Sequence, residues 1–168
     1  MSDDARRVLW APWRMTYVGG GAPASRGCIF CTAVDGPPEE TLLLGTTSHA
    51  VIMLNRYPYA SAHVMVAPRR HTASLPSLPD DEHRDLAEAV RRTLATLEDA
   101  LRPDGMNVGM NLGRCAGAGI TDHLHWHLVP RWDGDTNFMP LLADVRVMPQ
   151  HLQETLAVLR PRFDWARG

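Results

Sequence analysis

At 168 residues the chain has room for one domain with a sizeable core, and its 45% hydrophobic and 21% charged content is ordinary for a globular protein. A formal net charge of −2 gives no electrostatic reason for wholesale binding to nucleic acid or membrane surfaces, and no apolar run is long enough to span a bilayer. The opening Met1–Arg7 lacks the apolar stretch of a secretory signal, and three cysteines, two of them in Cys28-x-x-Cys31, argue for a reduced, cytoplasmic protein rather than a disulfide framework.

Residues 1–27 read as an N-terminal arm and loop. Leu9-Trp10-Ala11-Pro12-Trp13-Arg14-Met15-Thr16-Tyr17 crowds aromatic side chains that can anchor on a partner, stack on a base or fold over the domain's own core; a Gly/Ala/Pro/Ser-rich run follows. Residues 28–168 read as a single domain. At its start, the thiolates of Cys28 and Cys31 are spaced to share one tetrahedral metal, with zinc the expected ion, or to fill space as small buried thiols. Thr41–Leu44 and Ala50–Leu54 are predicted strands flanking a Gly45-Thr46-Thr47-Ser48 turn, and His63–Ala67 is a short buried strand ended by Pro68. Between them, Asn55-Arg56-Tyr57-Pro58-Tyr59 is a loop in which Asn55 is either a turn former or a polar contact. Ala62, before His63, lacks the freedom of a glycine at positive φ.

A long helix opens at Leu78-Pro79-Asp80, with Asp80 or Asp81 as cap, and runs to Pro103-Asp104-Gly105. Its apolar stripe is Leu86, Ala89, Val90, Leu94, Leu97 and Leu101, and Arg84, Arg91 and Arg92 fall on its solvated flank. Met106–Leu112 alternates and reads as a strand. Gly113–Gly119 is a small-residue loop whose amides can approach a phosphate, with Arg114 adding charge. It feeds into His123-Leu124-His125-Trp126-His127-Leu128-Val129-Pro130. Strict alternation on an extended segment puts the three imidazoles on one face and Leu124, Trp126 and Leu128 on the other; a helix would scatter them. Pro130 lacks a ladder donor and is expected to mark where pairing weakens. Arg131–Phe138 is a polar loop, and Pro149-Gln150 opens a final helix with Leu152, Leu156 and Leu159 inward.

The His-φ-His-φ-His-φ-φ pattern of residues 123–129 resembles the signature of the histidine-triad (HIT) family of nucleotide hydrolases and transferases. The likeness extends over most of the chain. The Leu9–Arg14 leader, the cysteine pair and the tail resemble one bacterial branch, which includes diadenosine tetraphosphate phosphorylases. That resemblance implies an α+β fold: an antiparallel sheet of about five strands, one long packing helix and a C-terminal helix. It also implies a homodimer. His125 becomes the nucleophile toward an α-phosphorus, His127 the partner of phosphate oxygens or leaving group, and His63 a further group at the cleft. Asn55 is implied at the ribose, and Asn111 with Gly117, Gly119 and Thr121 at the phosphates. The family's Gln and Ser in that loop are replaced here by Ala118-Gly119-Ile120. A structural zinc would be held by Cys28, Cys31, His71 and His123, with no organic cofactor.

The acceptor decides the reaction. Phosphate gives a phosphorylase of dinucleoside polyphosphates, the favoured reading. Water gives a hydrolase of dinucleoside polyphosphates or nucleoside phosphoramidates, toward which His127 tilts. Two other classes are open at this stage: a catalytic metal held by His123, His125 and His127, and a non-catalytic module that binds nucleotide or zinc.

Overall fold

The computed structural model describes residues 27–135 and 151–167. The aromatic N-terminal arm, the Thr136–Phe138 part of the polar loop and the Pro149-Gln150 helix opening lie outside the described residues. Two short helices, α1 (Ile29–Thr32) and α2 (Pro38–Thr41), lead into strands β1 (Leu43–Thr46), β2 (Ala50–Leu54) and β3 (Val64–Pro68). Then come the long helix α3 (Asp80–Leu101), strands β4 (Gly105–Met110) and β5 (Trp126–Arg131), and helix α4 (Leu152–Leu159). The strands form one antiparallel sheet in the order β1-β2-β3-β5-β4. The fold is the α+β class that the resemblance implies.

β2 and β3 are buried along their whole length, as their unbroken apolar runs require. The sheet divides two clusters. Leu124, Leu128, Val64, Val66, Ile52 and Leu54 point to the side covered by α3 and the C-terminal segment, where Leu86, Ala89, Leu97, Leu156, Leu159 and Phe163 meet them. Val51, Met53, Met65 and Ala67 point to the opposite side, against Phe30 and Ala33. Since His127 pairs with Met65, the histidine face shares this second side.

Several boundaries differ from the sequence expectation. β1 runs from Leu43 through Gly45 and Thr46, not from Thr41, which closes α2. Gly45 is in the strand because Ala166 passes over it: a Cβ there would lie 2.7 Å from that of Ala166, and Thr46 N–H donates to the Ala166 carbonyl. Helix α3 begins at Asp80 with Pro79 in the cap position and no side-chain cap bond; Asp80, Asp81 and Glu82 instead occupy the first turn. The fixed φ of proline bounds the helix start there, and the acids lie at the positive end of the helix dipole. β4 ends at Met110, and β3 begins one residue after His63 and includes Pro68. β5 begins at Trp126, three residues after His123, and includes Pro130, which pairs with Met106. Pairing of β5 with β3 stops at Leu128, so Pro130 sits where only one flank carries a partner.

Candidate nucleotidyl-transfer site

His123 and His125 lie on the segment just before β5, and His127 lies on the strand itself. The segment is held by Leu124 N–H donating to the Thr72 carbonyl. Leu124 and Leu128 are buried on the core side, and Trp126 packs against that cluster half-buried, so the expected alternation holds across the strand's start. His123 and His125 are buried, while His127 is half-buried.

The hydrogen bonds fix each ring's tautomer, because a backbone carbonyl can only accept and a backbone N–H can only donate. His125 Nδ1 is 2.9 Å from the His123 carbonyl, so the proton is on Nδ1 and Nε2 carries the lone pair. Among the described residues the only fully buried side-chain polar atoms without a partner are Ser61 Oγ and Thr93 Oγ1. The unpartnered His125 Nε2 therefore retains access to solvent. Tyr59 N–H donates to His63 Nδ1 at 3.1 Å, which leaves the proton on His63 Nε2. That group donates to His127 Nδ1 at 2.9 Å, so neutral His127 presents an Nε2–H. The rings of His125 and His127 thus offer complementary faces: a lone pair on His125 and a donor on His127, with the ring centroids 4.7 Å apart.

Burial favours the neutral form of all three triad imidazoles. It lowers the pKa of His125 against the opposing hydrogen bond to the His123 carbonyl. It brings His127 down to about 4, with the neighbouring His125 adding to the shift. His123 is also lowered, first by burial. The triad is therefore neutral at pH 7, as a nitrogen nucleophile must be.

His123 faces elsewhere. Its Nε2 lies 2.8 Å from the Pro68 carbonyl, so Nε2 carries the proton and Nδ1 offers its lone pair to the cysteines. Nδ1 is 3.1 Å from Cys28 Sγ and 3.7 Å from Cys31 Sγ, and His71 Nδ1 is 3.3 Å from Cys31 Sγ. The four ligand atoms lie within 4.8 Å of one another. Tetrahedral zinc with two sulfur and two nitrogen ligands separates them by about 3.5 Å, so donor set and spacing fit. His71 Nε2 is 3.6 Å from an Asp122 carboxylate oxygen, on the side of the ring turned away from the cysteines; were His71 to hold a metal, that carboxylate would be placed to orient it. Burial raises the Cys31 thiol pKa, and the neighbouring Cys28 and Asp122 raise it further. A bound cation would remove that mutual repulsion. His125 and His127 do not belong to this cluster: their Nδ1 atoms are turned to the His123 carbonyl and to His63. The geometry thus gives the three triad histidines separate partners rather than one shared metal.

Asn55 is the turn former that its loop position implies. Its Oδ1 accepts from Tyr57 N–H at 2.8 Å, and its Nδ2 lies 3.4 Å from His63 Nδ1. Asn111 Nδ2 donates to the Gly117 carbonyl at 3.4 Å, tying the end of β4 to the glycine loop. Gly113 and Gly117 take positive φ there, at 84° and 89°. Gly119 and Thr121 are exposed and make no hydrogen bond among the described residues. Ala62 adopts φ 58° despite its Cβ and so places His63 at a strained corner.

Two residues that motif reading passes over complete the site. Phe30 packs against His125 with ring centroids 5.0 Å apart, and Tyr59 covers both His63 and His127, at 4.6 and 5.6 Å. An aromatic two residues after Cys28 and another four residues before His63 were the available signals.

The HIT domain family model matches residues 38–134. A Mycobacterium tuberculosis protein described as AP-4-A phosphorylase is 35% identical over 171 residues, spanning 98% of this chain and 87% of the relative. A Candida albicans adenosine 5'-monophosphoramidase is 34% identical over 113 residues, spanning 65% of this chain and 73% of the relative. A zinc-bound histidine triad family protein from Mycobacterium smegmatis superposes with a TM-score of 0.63 at 26% identity, covering 83% of this chain and 94% of that one. The paired sheet, the alternating histidines and these matches identify the chain as a member of the HIT domain family.

Proposed function

We propose that the chain transfers a nucleotidyl group through a covalent nucleotidyl-histidine, cleaving dinucleoside polyphosphates such as diadenosine tetraphosphate with inorganic phosphate as acceptor. One observation carries the reading: His125 is held by the His123 carbonyl with its Nε2 lone pair free, beside a neutral His127 that offers an N–H. In the first step Nε2 bonds to the α-phosphorus as the P–O bond to the leaving phosphate breaks. The bonding pair departs with that oxygen, which leaves as an anion held by His127 Nε2–H. The positive charge on the adduct's imidazole is stabilised through Nδ1–H by the His123 carbonyl. A phosphate oxygen then attacks the same phosphorus, the N–P pair returns to Nε2, and a nucleoside diphosphate leaves.

His63 acts by holding His127 in its tautomer. Asn55 is assigned to the ribose, and Asn111 with the loop at Gly117, Gly119 and Thr121 to the phosphates. The similarity to the mycobacterial phosphorylase supports phosphate as acceptor. A second reading, hydrolysis of dinucleoside polyphosphates or nucleoside phosphoramidates, is favoured by the histidine at position 127 and by similarity to the Candida phosphoramidase. Incubation with diadenosine tetraphosphate separates the two. Phosphorolysis predicts ADP and ATP only when phosphate is added; AMP and ATP at the same rate without phosphate would contradict it.

The Cys28-Cys31-His71-His123 cluster is proposed as a structural zinc site that joins the start of α1, the loop after β3 and the entry to β5. When bound, the ion supplies rigidity there and no reacting group. Reduced cysteines of this kind fit a cytoplasmic location. A homodimer is proposed as well, supported by the position of β4 at the sheet edge with Val108 and Leu112 exposed.

A further inference from the structure

The reaction proposed above needs a place for the departing polyphosphate, and the sheet provides one. In the β4–β5 register Gly109 stands directly opposite His127, and Asn107 opposite Val129, all on the histidine face. Gly109 contributes no side chain, and a Cβ built on it would meet nothing within 4 Å. The gap opens into a bay lined by Tyr59, Asn107, Gly109, Asn111, His127 and Val129. His125 does not line it; its ring lies against Phe30 on the other side of the triad. The bay is thus on the side of the N–H donor and away from the nucleophile's backing.

Two amide side chains of the bay keep N–H donors available. Arg131 Nη1 donates to Asn107 Oδ1 at 2.8 Å, and a guanidinium has no acceptor, so Asn107 Nδ2 is left without a partner among the described residues. Arg131 is itself fixed by a two-pronged ion pair to Asp135, both contacts at 2.6 Å. Asn111 Nδ2 spends one of its two protons on Gly117. Neutral donors around an open gap suit an oxygen-rich anion.

We infer that this bay is the leaving-group subsite, which receives the phosphoryl chain of the departing nucleotide through the gap at Gly109, with Asn107, oriented by Arg131, as a specificity-determining donor. The inference rests on the nucleotidyl-transfer reading. The subsite acts as the Pα–O bond breaks and the electron pair leaves with the oxygen; no further reactant is needed.

The test compares two substrates that share the adenylyl group: diadenosine tetraphosphate, whose leaving group is a nucleoside triphosphate, and adenosine 5'-fluorophosphate, whose leaving group is fluoride. The readout is the ratio of their kcat/KM values in one preparation, which cancels the fraction of folded enzyme. Gly109→Val fills the gap on an edge strand that tolerates a β-branched residue, and Asn107→Asp replaces the donor with an anion. Each is expected to lower the tetraphosphate-to-fluoride ratio tenfold or more. A ratio within twofold of wild type in Gly109→Val overturns the bay as the subsite, and the same result in Asn107→Asp overturns its donor role. Wild-type protein that turns over neither substrate overturns the nucleotidyl-transfer reading itself.

Discussion

His127 illustrates how one burial decision sets a chemical role. Its ring lies between His63 and His125 under the Tyr59 ring, and desolvation, aided by His125, holds its pKa at about 4. In the unfolded chain an imidazole titrates near 6.5. Between these values the unfolded state binds more protons than the folded one, so stability from this residue is present above about 6.5 and is lost as pH falls toward 4. An NMR titration of the His127 ring is expected to show a midpoint near 4. A midpoint at the ordinary histidine value would contradict the assignment of a neutral N–H donor. The identity of this residue as a site group was plain from the alternation of residues 123–127. Its tautomer was not, because that depends on His63 and on the Tyr59 backbone, which reach it only through the fold.

At the scale of elements, period-two and period-3.6 patterns carried most of the fold. β2 and β3 appear as apolar runs, and α3 presents the predicted inward residues Leu86, Ala89, Val90 and Leu97. Ends of elements were less legible. The histidine segment is extended in pattern from His123, yet ladder pairing starts at Trp126, since β3 offers partners only from Val64 to Val66. The ring of His123 is committed instead to Pro68 and the cysteines. That cluster ties together the start of α1, the loop after β3 and the entry to β5, so metal loss acts on their mutual position. Chelation of the purified protein is expected to lower the melting temperature and to speed amide exchange at residues 28–33 and 71–72, with release of about one zinc per chain. An unchanged melting temperature after complete metal removal, or the absence of metal in the native protein, would contradict a structural zinc site.

Across the whole molecule the sheet partitions the work. One side is a continuous core beneath α3 and α4; the other carries Phe30, the imidazoles and the metal-type cluster. No described helix is long and apolar enough to cross a membrane. Among the described residues the sheet ends at β4 with an outer backbone edge that no strand pairs and with Val108 exposed, an edge that a strand from a second copy of the chain would extend. Light scattering on a sizing column is expected to report twice the chain mass; a single-chain mass at micromolar concentration would count against the dimer. Composition and charge gave no electrostatic reason to expect nucleic-acid or membrane binding, and they carried no information about this edge, whose exposure follows only from the strand order.

The most direct measurement is capture of the covalent intermediate. Wild-type protein mixed briefly with diadenosine tetraphosphate labelled at the α-phosphorus, then denatured, is predicted to retain label in an acid-labile bond to the peptide containing His125. His125→Ala is predicted to retain none while still binding nucleotide. Label that persists in His125→Ala, or that maps to another side chain, would contradict the assignment of Nε2 of His125 as the attacking atom.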